Sequence, residues 1–148
     1  MRTYIIPGIA GLLGAIAMAV LTLLPARLHL FRIDVVRAVG AFISHDRAHA
    51  YKPGLTIHLI IGVVSAYFYR WIFDYMGIPL NSGTGLFMGV VHGALVMLLV
   101  SIFILEHHPM RRYQRRGFMT GFSQILAHAV YGFIVGTCIW LSGSPHSW

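Results

Sequence analysis

Residues 4–24, 54–73, 84–105 and 118–141 form four stretches that are almost wholly apolar and, away from their ends, hold no Asp, Glu, Lys or Arg. A run of about 20 such residues is what an α-helix needs to cross a bilayer core. Each run is continuously apolar rather than alternating, and four strands are too few to close a barrel, so helices are expected. The rest of the chain agrees. Of 148 residues, 57% are hydrophobic and 10% are charged, against about 25% charged in a soluble domain. Too few polar residues are available to clothe a soluble surface, and no segment is left for a separate soluble domain. Rossmann-type and other soluble α/β enzymes are thereby excluded. The expectation is an all-α integral membrane protein, a single four-helix transmembrane bundle over residues 1–148. The first run follows Arg2 and contains "AIA" at Ala15 to Ala17, a pattern shared with signal peptides. It continues apolar to Leu24, which favours a span over a cleaved leader. The lone Cys138 has no partner for an intrachain disulfide.

Charge orients the bundle. The segment from Pro25 to Pro53 carries Arg27, Arg32, Arg37, Arg47 and Lys52, and that from Glu106 to Gly117 carries Arg111, Arg112, Arg115 and Arg116. These are nine of the eleven Lys and Arg residues. With four spans the two segments share one side, which is expected to be cytoplasmic, with both termini outside. In so apolar a chain the net charge of +7 points to anionic lipid headgroups rather than nucleic acid. Arg111, Arg112, Arg115 and Arg116 are the expected lipid contacts.

Within the first basic segment, residues 28–43 plot as an amphipathic helix. Phe31, Val35, Val36, Val39, Phe42 and Ile43 fall on one arc, with His29, Asp34 and Arg37 on the other and Arg32 as the exception. An interfacial helix is expected there, with a short core-packed helix as the alternative. At the far end of the second run, Tyr67, Tyr69, Trp71 and Tyr75 read as an interfacial aromatic belt. Arg70 and Asp74, four residues apart, are spaced to pair.

Small residues recur every fourth position: Gly85, Gly89 and Gly93 in the third run, Gly117 with Gly121 and Gly132 with Gly136 around the fourth, Ala10 with Gly14, and Gly62 with Ala66. Such ridges let helix backbones approach closely where hydrophobic drive is missing. "GAIAM" (Gly14 to Met18) is echoed by "GALVM" (Gly93 to Met97), and "HLIIG" (His58 to Gly62) by "HAVYG" (His128 to Gly132). The order is the same in each half, as in a parallel repeat of two hairpins, although chance likeness among apolar helices is a rival explanation. The glycine-rich first run, Asp34 to Gly40 as D-x5-G, the histidine opening the second run and "AHAVYG" in the fourth resemble small four-helix bacterial membrane proteins of unknown function. That resemblance implies the bundle fold and a bacterial inner membrane, and supplies no activity.

The polar residues of the runs are then the informative ones. At 1.5 Å per residue His92 lies ~12 Å below the outer end of its run and His128 ~15 Å above the inner end of its own, so the two can meet near mid-depth. His58, ~6 Å from its end, is expected to group with the surface histidines. One reading of His92 and His128 is structural, an imidazole bonded to a neighbouring helix and facing the bundle interior. The other is axial ligation of a haem or another tetrapyrrole, with His58 as a further candidate. His45 and His49, four apart, could chelate a metal ion with His107 and His108 from the other basic segment, against the alternative of a solvated patch. No phosphate loop, nucleophile motif or close carboxylate pair points to an enzyme. The expected function is that of a non-enzymatic bundle packing as a small or accessory subunit against other membrane proteins or copies of itself. The alternatives are a histidine-ligated electron-transfer or pigment-binding subunit, and a channel or permease for a small solute.

Overall fold

The computed structural model describes residues 2–27, 34–114 and 118–143, and among these it contains only helices and their connections. In chain order the α-helices are α1 (Arg2–Arg27), α2 (Val35–Ser44), α3 (Tyr51–Met76), α4 (Ser82–Leu99) and α5 (Phe118–Leu141). Four stretches are long and apolar enough to cross a membrane: Ile5–Thr22, Tyr51–Met76, Ser82–Phe103 and Gly121–Leu141.

Helix ends depart from the sequence expectation for local reasons. α3 begins at Tyr51 rather than Gly54 because Pro53 falls in its first turn, where a missing N–H costs no helical bond. α4 begins at Ser82 behind a capping box. The Asn81 side chain accepts from the Gly83 and Thr84 amides, and the Thr84 hydroxyl accepts from the Asn81 N–H at 2.9 Å. At its other end α4 widens into a π-helical segment over Val100–Glu106, followed by a 3₁₀ turn at Arg111–Tyr113.

The expected interfacial helix is corrected in part. Residues 28–33, with His29, Phe31 and Arg32, lie outside the described residues. α2 starts only at Val35, because Asp34 caps it by accepting from the Arg37 amide at 3.0 Å. Its packed face is Val36, Ala38, Gly40 and Ala41, while Phe42 and Ile43 are exposed. Small residues win because α2 lies backbone to backbone on α3. A Cβ at Gly40 would fall on the Ala50 carbonyl, and one at Gly54 on the Val36 carbonyl. The side of α2 packed on α3 is thus the one with the small residues.

The four long helices use their glycines against one another. α4 and α5 form the most extensive pair. Gly85 faces the Gly132 carbonyl, Gly89 the His128 carbonyl, Gly93 the Ile125 Cα, and Gly136 the Asn81 carbonyl. α1 packs on both α3 and α5, with Gly11 against Gly62 and Gly14 against the Tyr131 ring. α3 and α4 have no comparable backbone contact. In each suspected half-repeat, the glycine four residues after the histidine (Gly62, Gly132) faces the first helix of its own half, as duplicated hairpins would require. Under that correspondence the α1–α5 seam has α4–α3 as its counterpart. The first is closed and the second is open.

A second core cluster sits at the basic end, built from Ala38, Ala41, Ala50, Val100 and Tyr113. His108 is wholly buried beside it, between the rings of Phe42 (4.4 Å) and Tyr113 (4.6 Å). Its Nε2 donates to the Ala38 carbonyl and its Nδ1 accepts from the Met110 amide, each at 3.0 Å. This ring fastens the segment after α4 onto α2, so the two basic segments share one end of the bundle.

Candidate functional site

Where α3 and α4 separate, a cavity of about 170 Å³ remains inside the bundle. Its apolar walls include Met18 of α1, Val35, Val36 and Val39 of α2, Ile57 and Ile61 of α3, and Val96 and Val100. Its polar lining is His58, Ser65, His92, Gln124, His128, Thr22 and Tyr131. All three histidines of the apolar runs thus meet at one place. Ile61 lines the cavity and is 54% exposed, so the cavity is partly open on the α3–α4 side. α2 covers the end nearest the basic segments.

The bonds around the cavity are specific. Tyr69 is 1% exposed, and its hydroxyl meets His92 Nδ1 at 3.1 Å. The His92 and His128 rings stand edge to face, 4.8 Å between centroids. His128 Nδ1 donates to the Gln124 carbonyl one turn back, at 2.7 Å. His58 Nε2 donates to the Ala15 carbonyl of α1 at 3.1 Å. Tyr131 donates to the Gly62 carbonyl at 2.5 Å, and its ring stands edge to face with Tyr69. Gln124 and His128 are each 6% exposed. Gln124 accepts from His128 through its backbone carbonyl, while its side chain lines the cavity.

His92 and His128 meet as their depths in the sequence implied, and His92 faces the interior. Two placements differ. His58 was grouped with the surface histidines, but α3 starts three residues earlier, so His58 lies about 10 Å into the helix and faces the cavity. Tyr69 was assigned to the aromatic belt, but it shares the buried stripe of Gly62, Ala66 and Phe73. Gly62, Ala66, Tyr69 and Phe73 follow one another at four, three and four residues, the spacing of one helix face, and that was the available signal. The belt consists of Tyr67, Trp71 and Tyr75 with Phe68. Phe68, Trp71 and Tyr75 stack in sequence along the exposed face at 5.7 and 6.2 Å. Tyr131 was visible only inside "AHAVYG". Its position three residues past His128 and seven past Gln124 puts all three on one helix face.

His92 and His128 do not fit a haem between them. Two axial imidazoles face each other across a macrocycle, whereas these rings touch edge to face. A cavity of about 150 Å³ accommodates a benzene ring, so the space of about 170 Å³ has room for one ring. The surface histidines are also not brought together. His45 is the left-handed cap that ends α2, which breaks the helical spacing assumed between His45 and His49. The His45 ring bonds the Ile43 carbonyl, His49 bonds Asp46 at 2.7 Å, His107 bonds the Ile102 carbonyl, and His108 is buried with both nitrogens engaged. Among the described residues no group of three or more His, Cys, Asp or Glu side chains is set to hold a metal ion. The Ala48 amide, and after it the His49 ring, hold the exposed Asp46 carboxyl below the usual carboxylate range.

Of the expected lipid contacts, Arg111 is exposed at the start of the 3₁₀ turn. Arg115 and Arg116 lie outside the described residues, as does the Arg112 side chain.

No curated protein and no solved structure matches the chain. A family model described as "Family of unknown function (DUF6789)" matches residues 1–147, and the chain belongs to that family.

Proposed function

We propose that the protein is a membrane-spanning, non-enzymatic binding bundle that holds a small, mostly apolar molecule in the cavity between α3 and α4. One observation carries this reading: polar side chains from three helices, His58, His92, Gln124 and His128, converge on a ring-sized space with otherwise apolar walls. Such a combination of apolar lining and a few convergent polar groups is the usual makeup of a ligand site. The small-residue ridges that motivated an accessory-subunit role are filled by helices of the same chain, which removes that motive. A solute path keeps its support from the histidines, and the cavity is the natural waypoint on it.

Val96 lines the cavity from α4, and Val96→Phe would fill much of the space. Purified wild type in detergent or nanodiscs should melt several degrees higher in the presence of saturating small ring compounds such as toluene or p-cresol, and Val96→Phe should not respond. If the wild type melts at one temperature with and without every ring compound, the binding reading is wrong.

For orientation, we place the basic end in the cytoplasm, since the two basic segments hold nine of the eleven Lys and Arg residues of the sequence. In a Cys138→Ser background, Ile78→Cys should react with an impermeant maleimide on intact cells, and Arg47→Cys should be shielded until the cells are opened. The reverse pattern would invert the assignment.

A further inference from the structure

We propose, resting on the cavity-binding reading above, that the ligand is a single-ring hydrogen-bond donor, a phenol, and that His128 Nε2 and His58 Nδ1 are its acceptors. A backbone carbonyl can only accept. His128 Nδ1, at 2.7 Å from the Gln124 carbonyl, therefore carries the proton of its ring, and His58 Nε2, at 3.1 Å from the Ala15 carbonyl, carries the proton of the other. No carboxylate lines the cavity to balance an imidazolium. Each ring is then left with one bare lone pair, on Nε2 of His128 and on Nδ1 of His58. Tyr131, the phenol already in the lining, directs its hydroxyl away to the Gly62 carbonyl and leaves those lone pairs unserved. The Gln124 side-chain amide, which also lines the cavity, offers N–H groups there. A hydroxyl on a ring answers both needs, donating to an imidazole and accepting from the amide. A quinone or ether oxygen answers only the second.

Size and walls select the ring. A space slightly larger than one that takes benzene, walled by valine, isoleucine and methionine, favours a compact flat molecule over a chain. Such a phenol has two sources, a free small phenol or the phenolic head of a lipid-borne molecule. The open side at Ile61 is where a tail would leave toward lipid.

The test uses full-length protein in nanodiscs and measures Kd for p-cresol, toluene, 4-methylanisole and 4-decylphenol. p-Cresol should bind about tenfold tighter than toluene and 4-methylanisole, the ratio set by one buried hydrogen bond. The double variant His58→Leu/His128→Leu should erase that ratio while leaving toluene binding in place, which also shows that the variant is folded. Affinity for 4-decylphenol equal to that for p-cresol supports a lipid-borne head, and its exclusion supports a free phenol. Equal binding of p-cresol, toluene and 4-methylanisole to the wild type overturns the donor assignment and leaves the cavity-binding reading standing. Failure of all four to bind overturns both.

Discussion

Gly132→Leu should prevent α5 from docking on α4, and Gly132→Ala should already destabilise the bundle by about 1–3 kcal/mol. The atoms nearest a Cβ at this position are the Gly85 carbonyl oxygen and the Gly89 Cα and N, all backbone. No rotamer change can clear them, so the helices must separate. Separation is costly because close van der Waals contact holds membrane helices together, and this is the most extensive helix pair in the molecule. Two other glycines calibrate the effect. At Gly121 the obstacle is the flexible Met97 side chain at 2.9 Å, which can swing aside. At Gly83 the nearest atom is Asn81 Oδ1 at 3.4 Å, so alanine should be tolerated and should gain some helix propensity. Thermal or SDS-driven unfolding in mixed micelles should therefore order the variants Gly83→Ala, Gly121→Ala, Gly132→Ala from most to least stable. Equal stabilities would refute the backbone-contact account.

That order was partly legible in the sequence, and the reason shows where sequence reading reaches its limit. Gly85, Gly89, Gly93, Gly132 and Gly136 announced a close approach through their four-residue spacing, because α-helical periodicity is a property of one chain segment. Which ridge meets which is a property of two segments. The sequence did not reveal that α4 and α5 would close on each other while α3 and α4 would leave a cavity. The depths of His92 and His128 could be counted because both runs are long apolar helices of similar length, and the two rings do meet. His58 was misplaced by counting from Gly54, since a proline in a first turn hides where a helix starts. Tyr69 was lost among its aromatic neighbours because composition marked the end of α3 as a belt, whereas the helical phase set by Gly62 and Ala66 turns that one ring inward. His108 had no signal at all. Its burial depends on the π-helical widening after Leu99 and on the approach of α2, and both are tertiary.

Asp74→Leu should cost about 3–5 kcal/mol, the loss expected when one partner of a buried ion pair is removed. Arg70 Nε meets Asp74 Oδ2 at 2.5 Å, with the two side chains 8% and 15% exposed. The spacing of the pair was evident in the sequence, but an exposed pair of this kind contributes under about 1 kcal/mol, so burial decides the magnitude. Here Arg70 lies on the packed stripe of α3 next to Tyr69, and removing the carboxylate leaves a guanidinium whose charge has lost its counterpart in a poorly solvated place. Arg70 also makes interactions beyond this pair. Replacing both residues removes the charge together with its partner, so the double variant Arg70→Leu/Asp74→Leu should be more stable than Asp74→Leu alone. Measured by unfolding in mixed micelles, the double-mutant cycle should give a coupling of about 2 kcal/mol. Because Tyr69 precedes Arg70 and its hydroxyl bonds His92, a shift of this turn of α3 in Asp74→Leu should also weaken ring binding in the cavity, whereas the double variant should recover it. Additive losses, with the double variant the least stable of the three, would show that the pair is solvated and that this end of α3 is held by its aromatic packing instead.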